Sequence, residues 1–253
     1  MFKKVFALGF LIVVSALFCK EKHTLFTEIL QKYVRNGAVN YSDMKKDERL
    51  DRYINYLSET DPEKFETKNE KLAFYINAYN AYTLKIICKN YPVESINDLH
   101  FGGLILGTVL KSTVWDQDSV IINHNNISLN YLEHEIIRPV FKEPRIHFAL
   151  VCAAKSCPIL RSEAYEGEKL DSQLEDQADK FFRNQKKNRF DKVKKIAFLS
   201  KILDWYDSDF GGSDSALLKF AAQYLPEDIK KSILNDPSAW EISFLEYDWS
   251  LNE

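Results

Sequence analysis

The sequence predicts an α+β fold in a single domain. Three observations carry this. Helical periodicity dominates the first third of the chain, short strand-like runs and turn signals follow it, and no repeat, low-complexity tract or Pro/Gly/Ser linker divides the chain. The expected architecture is a helical N-terminal half whose long central helix packs on a mainly antiparallel sheet.

The elements follow in order. Leu25, Ile29, Leu30 and Val34 recur at helical spacing, and residues 51–58 repeat the pattern with Tyr53, Ile54 and Leu57 inward. Residues 69–90 form the strongest helix. Its apolar positions run nearly all the way round, which suits a helix at the centre of a domain, and Pro92 stops it. Phe101-Gly102-Gly103 reads as a flexible turn. Residues 115–122 and 127–129, joined at Asn125-Asn126, read as a hairpin. Residues 130–138 form a short helix ended by Pro139. The run RIHFALVCA, residues 145–153, is too short for an independent helix and fits a buried strand with His147, Ala149 and Val151 on one face. An amphipathic helix follows over 170–183, then a hairpin from 189–193 and 195–199. Helices over 214–224 and 227–234 are separated by Pro226, and residues 240–247 make a closing strand.

The amino terminus reads MFKKVFALGFLIVVSALFC. Two lysines precede an uncharged apolar run over residues 5–18, shorter than the roughly 20 residues a membrane-spanning helix needs. The run ends at Cys19 and turns polar at once. This resembles the lipobox of bacterial lipoproteins, with Phe18 bulkier than the usual small residue there. The resemblance implies a signal peptide over 1–18, acylation of Cys19, a tether over 19–23 and a globular domain over 24–253. It also implies export and lipid anchoring at a bacterial membrane, on the periplasmic or outer-membrane face. An uncleaved signal anchor is the alternative. The formal net charge of −3 gives no electrostatic footprint for nucleic acid. Beyond Cys19, Cys88, Cys152 and Cys157 are odd in number, so at least one thiol is free or pairs between chains, and Cys152 and Cys157 could bridge locally.

Several polar residues stand where apolar ones would be cheaper. Asn77 and Asn80 share a face of the most apolar helix, where an unsatisfied amide costs roughly 1–3 kcal/mol. They either cap loops or line a cleft. Glu133, His134 and Arg138 crowd one short helix, as a surface ion-pair group or with His134 aimed into a site. His147 sits in an apolar run, where a satisfied core histidine is the commoner outcome. Cys157 follows in Ser-Cys-Pro, a loop position suited to an exposed thiol. No metal-ligand spacing, P-loop or dinucleotide fingerprint appears, so neither metal nor cofactor is expected.

FYINAYNAYTL, LNYLEHEIIRP, IHFALVCAAKSCPIL and FLSKILDWYDSDF together resemble the family called domain of unknown function 547. The resemblance places Asn77, Asn80, Glu133, His134, Arg138, His147, Cys152, Cys157 and Pro158 in the family's signature blocks. A central helix and a His-bearing strand are also similar to papain-like and transglutaminase-like folds, by analogy only. The histidine preceding the cysteine runs against the usual papain order. Two functions are expected. One is a thiol-dependent hydrolase or acyltransferase of the cell envelope, with Cys157 as nucleophile, His147 or His134 as base and Asn77 orienting the base or an oxyanion. Asn80, Glu133 and Arg138 would then bind substrate. The other is a non-catalytic, membrane-tethered module binding a peptide or small molecule, with the aromatic stretch from Trp205-Tyr206 to Phe210 on its contact surface.

Overall fold

A computed structural model of the chain describes residues 23–99 and 113–253. The leader, Cys19 and the Phe101-Gly102-Gly103 turn lie outside the described residues. Among those residues, no helix is long and apolar enough to cross a membrane. The fold is mixed helix and sheet, as α+β requires.

Among the described residues helix α1 covers residues 23–33, and His23 is buried. A two-residue hairpin, β1 (Val34–Arg35) and β2 (Ala38–Val39), leads to α2 (Tyr41–Met44) and α3 (Glu48–Glu59). The central helix, α4, is Lys68–Asn90. It starts with a capping box in which Thr67 and Glu70 satisfy each other's backbone N–H groups. Its buried residues surround the axis, as the all-round apolar sequence requires. It does not cover one broad sheet. Its packing partners are α2, α3, short helical turns and the hairpin β3 (Val120–Ile122) and β4 (Asn125–Ile127).

That hairpin turns at Asn123-His124, two residues before the expected Asn125-Asn126. Both turn residues have positive φ, 48° and 62°, which asparagine tolerates better than most residues. The next helical stretch is also longer than expected. It passes from α5 (Leu129–Tyr131) through a π-helical turn, Leu132–Ile137, into α6 (Arg138–Phe141). Pro139 does not end it, because proline at the start of a fresh turn gives up an N–H that has no obligatory partner there.

Residues 145–153 do not form a strand. Glu143 accepts a hydrogen bond from the Arg145 N–H at 3.0 Å, Pro144 follows as first helical residue, and a 3-10 turn runs over Pro144–Phe148. The remaining backbone groups find side-chain amides instead of a strand ladder. Asn80 Nδ2 donates to the Ala149 carbonyl at 2.9 Å, and Asn80 Oδ1 accepts from the Val151 N–H at 3.0 Å. Gln177 Nε2 donates to the Phe148 carbonyl at 3.0 Å. Every buried polar backbone group needs some such partner.

A second apolar cluster forms behind this segment. Phe148 joins it, while Ile146, Ala149 and Leu150 belong to the first cluster around α4. The second cluster contains α7 (Leu170–Arg183), α8 (Ile202–Trp205), α9 (Asp214–Ala221), α10 (Glu227–Asn235) and a three-stranded sheet. In that sheet β6 (Ile196–Leu199) pairs antiparallel with β5 (Arg189–Asp191) and parallel with β7 (Glu241–Phe244). The chain then returns to the first cluster. Lys155 and Ser156 donate to the carbonyls of Ser250 and Asp248, and Asn252 donates to the Ala153 carbonyl, so the C-terminal strap pins the loop between Cys152 and Cys157.

Candidate functional site

The two clusters meet along a cavity of about 150 Å³. Glu133, His147, Leu150, Cys152 and Cys157 line it from the first cluster and the seam. Ile202, Trp205 and Tyr206 line it from the second. Trp115, Tyr247 and Trp249 close the aromatic side.

His147 occupies the seam, buried in the 3-10 turn. Its Nε2 lies 2.7 Å from Asp209 Oδ2, and its ring stacks on Tyr206 with centroids 3.9 Å apart. Asp209 stands behind the ring, in the turn Asp207–Phe210 that follows α8. Arg138 reaches the same carboxylate through two bonds, Nε to Oδ2 at 2.7 Å and a terminal nitrogen to Oδ1 at 2.8 Å. The bonds from His147 and then Arg138 hold the Asp209 carboxyl far below the ordinary carboxylate range. An ionised Asp209 accepts the Nε2–H, so Nδ1 of a neutral ring is an acceptor. That nitrogen lies 4.0 Å from Glu133 Oε1.

Glu133 is 5% exposed and comes from the π-helical turn. The phenols of Tyr79 and Tyr206 stand beside it. Burial first, and the Glu133 charge second, push both phenols well above their ordinary value, so both remain protonated donors.

Cys157 is not an exposed thiol. It is 4% exposed and bonded to Cys152. Ala153, in the left-handed region at φ 60°, reverses the chain so that the two cysteines meet. The Cys152 N–H donates to Cys157 Sγ at 2.8 Å, and the Tyr247 hydroxyl lies 3.0 and 3.3 Å from the two sulfurs. In this state no thiolate faces the cavity, which corrects the expectation of Cys157 as nucleophile. The free thiol among the described residues is Cys88. It is buried, and burial pushes it up to about 12, so it is not activated.

The remaining sequence candidates divide cleanly. His134 is exposed and its Nδ1 meets an Arg138 nitrogen at 2.8 Å, so it braces Arg138 from outside and does not line the cavity. Asn77 is also away from it. Its amide accepts from the Tyr165 N–H and donates to the Tyr165 carbonyl, both at 2.8 Å, which is a structural clamp. Asn80 clamps the 149–151 backbone and so positions the segment that carries His147. Pro158 lines the cavity beside the disulfide. Arg138 holds Asp209 and does not line the cavity itself. Among the described residues no group of three or more His, Cys, Asp or Glu could hold a metal ion.

Sequence reasoning missed Asp209 and Tyr79. Both fall within quoted motif blocks, DWYDSDF and NAYNAY, but nothing local distinguishes Asp209 from Asp204 or Asp207.

Residues 62–182 match a family model described as protein of unknown function, DUF547, which supports that domain family. The matched segment contains Glu133, His147 and both bridged cysteines and ends before Tyr206 and Asp209. No curated protein and no solved structure matches the chain.

Proposed function

Taking a DUF547-family domain as premise, we propose that the chain is a hydrolase or acyltransferase of the cell envelope, tethered to a bacterial membrane by acylation of Cys19. The observation that carries the reaction class is the His147–Asp209 pair at 2.7 Å, with the other ring nitrogen left as an acceptor on a cavity. Such a nitrogen can take the proton from a water or other nucleophile as it attacks an ester, thioester or amide carbonyl. Asp209 fixes the tautomer and stabilises the imidazolium that forms. Its strongly lowered proton affinity keeps it ionised throughout. Glu133, flanked by two phenols, orients the attacking group. The disulfide is a wall of the cavity and no sulfur enters the reaction. The apolar run over residues 5–18 ending at Cys19 supports the location.

A panel of chromogenic esters, thioesters and peptide anilides tests the reaction. His147→Ala is expected to lower the rate on a turned-over member by about 10²–10⁴-fold. The double variant Cys152→Ser, Cys157→Ser is expected to keep it. No turnover above the His147→Ala background, or loss of turnover in the double serine variant, removes this reading. For the anchor, labelled palmitate should appear on the wild-type protein in cells and not on Cys19→Ala.

A further inference from the structure

We infer that the cavity binds an alkylammonium group, so that the substrate or ligand carries a primary amine in its cationic form. His147 Nδ1, an acceptor while Nε2–H is committed to Asp209, faces Glu133 Oε1 across 4.0 Å. While the ring is neutral, two acceptors face each other across that gap and can share one donor. An ammonium offers three N–H groups and a positive charge, and satisfies both.

Charge points the same way. Glu133 is buried beside the phenols of Tyr79 and Tyr206, both held as neutral donors. Among the described residues no lysine or arginine nitrogen comes within 4.0 Å of it. Arg138, the neighbouring cation, is forked onto Asp209 and packs over the Tyr206 ring at 5.0 Å. A buried carboxylate without a cationic partner is costly, and a bound cation offsets that cost.

The walls complete the match. Trp205, Tyr247 and Trp249 form one ring cluster, with centroid separations of 4.8, 5.8 and 4.6 Å, and all three line the cavity. Aromatic faces attract cations as well as alkyl chains, so one short alkylammonium meets charge at one end and rings along its length. An anionic ligand would meet Glu133 and gain nothing.

This inference rests on the cavity being the ligand site of the proposed function, and it is tested without turnover. The intrinsic tryptophan fluorescence of the full chain, or calorimetry, follows titration with n-butylammonium, 1-butanol and butyrate. Butylammonium is expected to bind at least about tenfold tighter than butanol, with butyrate weakest. Glu133→Gln is expected to erase that preference, with Tm measured alongside to confirm folding. Equal binding of butanol, tighter binding of butyrate, or no binding of butylammonium to the wild-type protein overturns the inference, and none of these requires the variant to fold. Should butylammonium bind as expected while His147→Ala leaves every hydrolysis rate unchanged, the amine site stands and the catalytic reading falls.

Discussion

Among the described residues two histidines are buried, His23 and His147, and they show what separates a structural imidazole from a usable one. His23 Nδ1 meets two neutral groups, the Tyr53 hydroxyl at 2.9 Å and the Asn77 amide at 3.2 Å. Among the described residues no ion pair reaches it, and burial pushes it down to about 4. His147 is buried to a similar degree, yet it holds an ionised carboxylate on one nitrogen and opens the other onto a cavity. Burial alone makes a histidine neutral and inert. A charged partner and a cavity beside the ring suit it to the base role proposed above.

The largest effect that would break this contrast comes from Asp209→Asn. It removes the charge that sets the His147 tautomer, and the rate on any substrate found is expected to fall by about 10²–10⁴-fold. An unchanged rate would make the two histidines equivalent. On the structural side, Asn77→Ala strips both backbone partners from Tyr165. It is expected to lower unfolding free energy by about 4 kcal/mol in urea denaturation, two buried groups at about 2 kcal/mol each, with turnover by the folded fraction unaltered. A specific loss of rate without a loss of stability would return Asn77 to the site.

The pH dependence sharpens the contrast further. An unfolded His23 takes up its proton near pH ~6.5, whereas the folded one does so only near about 4. Between those values the unfolded chain binds more protons. The His23 contribution is therefore complete above pH ~6.5 and falls away as pH drops toward about 4, by on the order of 3 kcal/mol. His23→Gln should flatten that part of a stability-against-pH curve. Asp209, lowered by His147 and Arg138, acts in a more acid window. Its contribution is complete above pH ~3.9 and is lost only below it. The smallest expected effect belongs to the disulfide. Reducing the Cys152–Cys157 bridge opens a short loop and should cost about 2 kcal/mol, near 5 °C in Tm, while leaving turnover in place. A rise in activity on reduction would restore the thiol chemistry that the bridge now excludes.

Much of the fold was readable because its signals are local. The periodicity around α4, the stripe of α7 and the β5–β6 hairpin are set within a few turns of chain, and the structure forms each where the pattern lies. The segment 145–153 was misread for the complementary reason. Its apolar run resembles a strand, but Glu143 and Pro144 start a helical turn there, and Asn80 and Gln177 supply hydrogen bonds that a strand neighbour would otherwise supply. The Glu-Pro cap was visible; the amides were 69 and 29 residues away.

By itself the sequence determined which residues were out of place, Asn77, Asn80 and His147 among apolar neighbours, because burying a polar side chain without purpose is costly. It could not decide what each would meet. Asp209 behind the His147 ring, the phenols on Glu133 and the closure of Cys157 onto Cys152 are contacts across the seam of two clusters or around one left-handed alanine. Only tertiary packing selects among Asp204, Asp207 and Asp209, because the choice depends on which one the folded chain brings within 3 Å of a distant ring, as it brings Asp209 to 2.7 Å from His147.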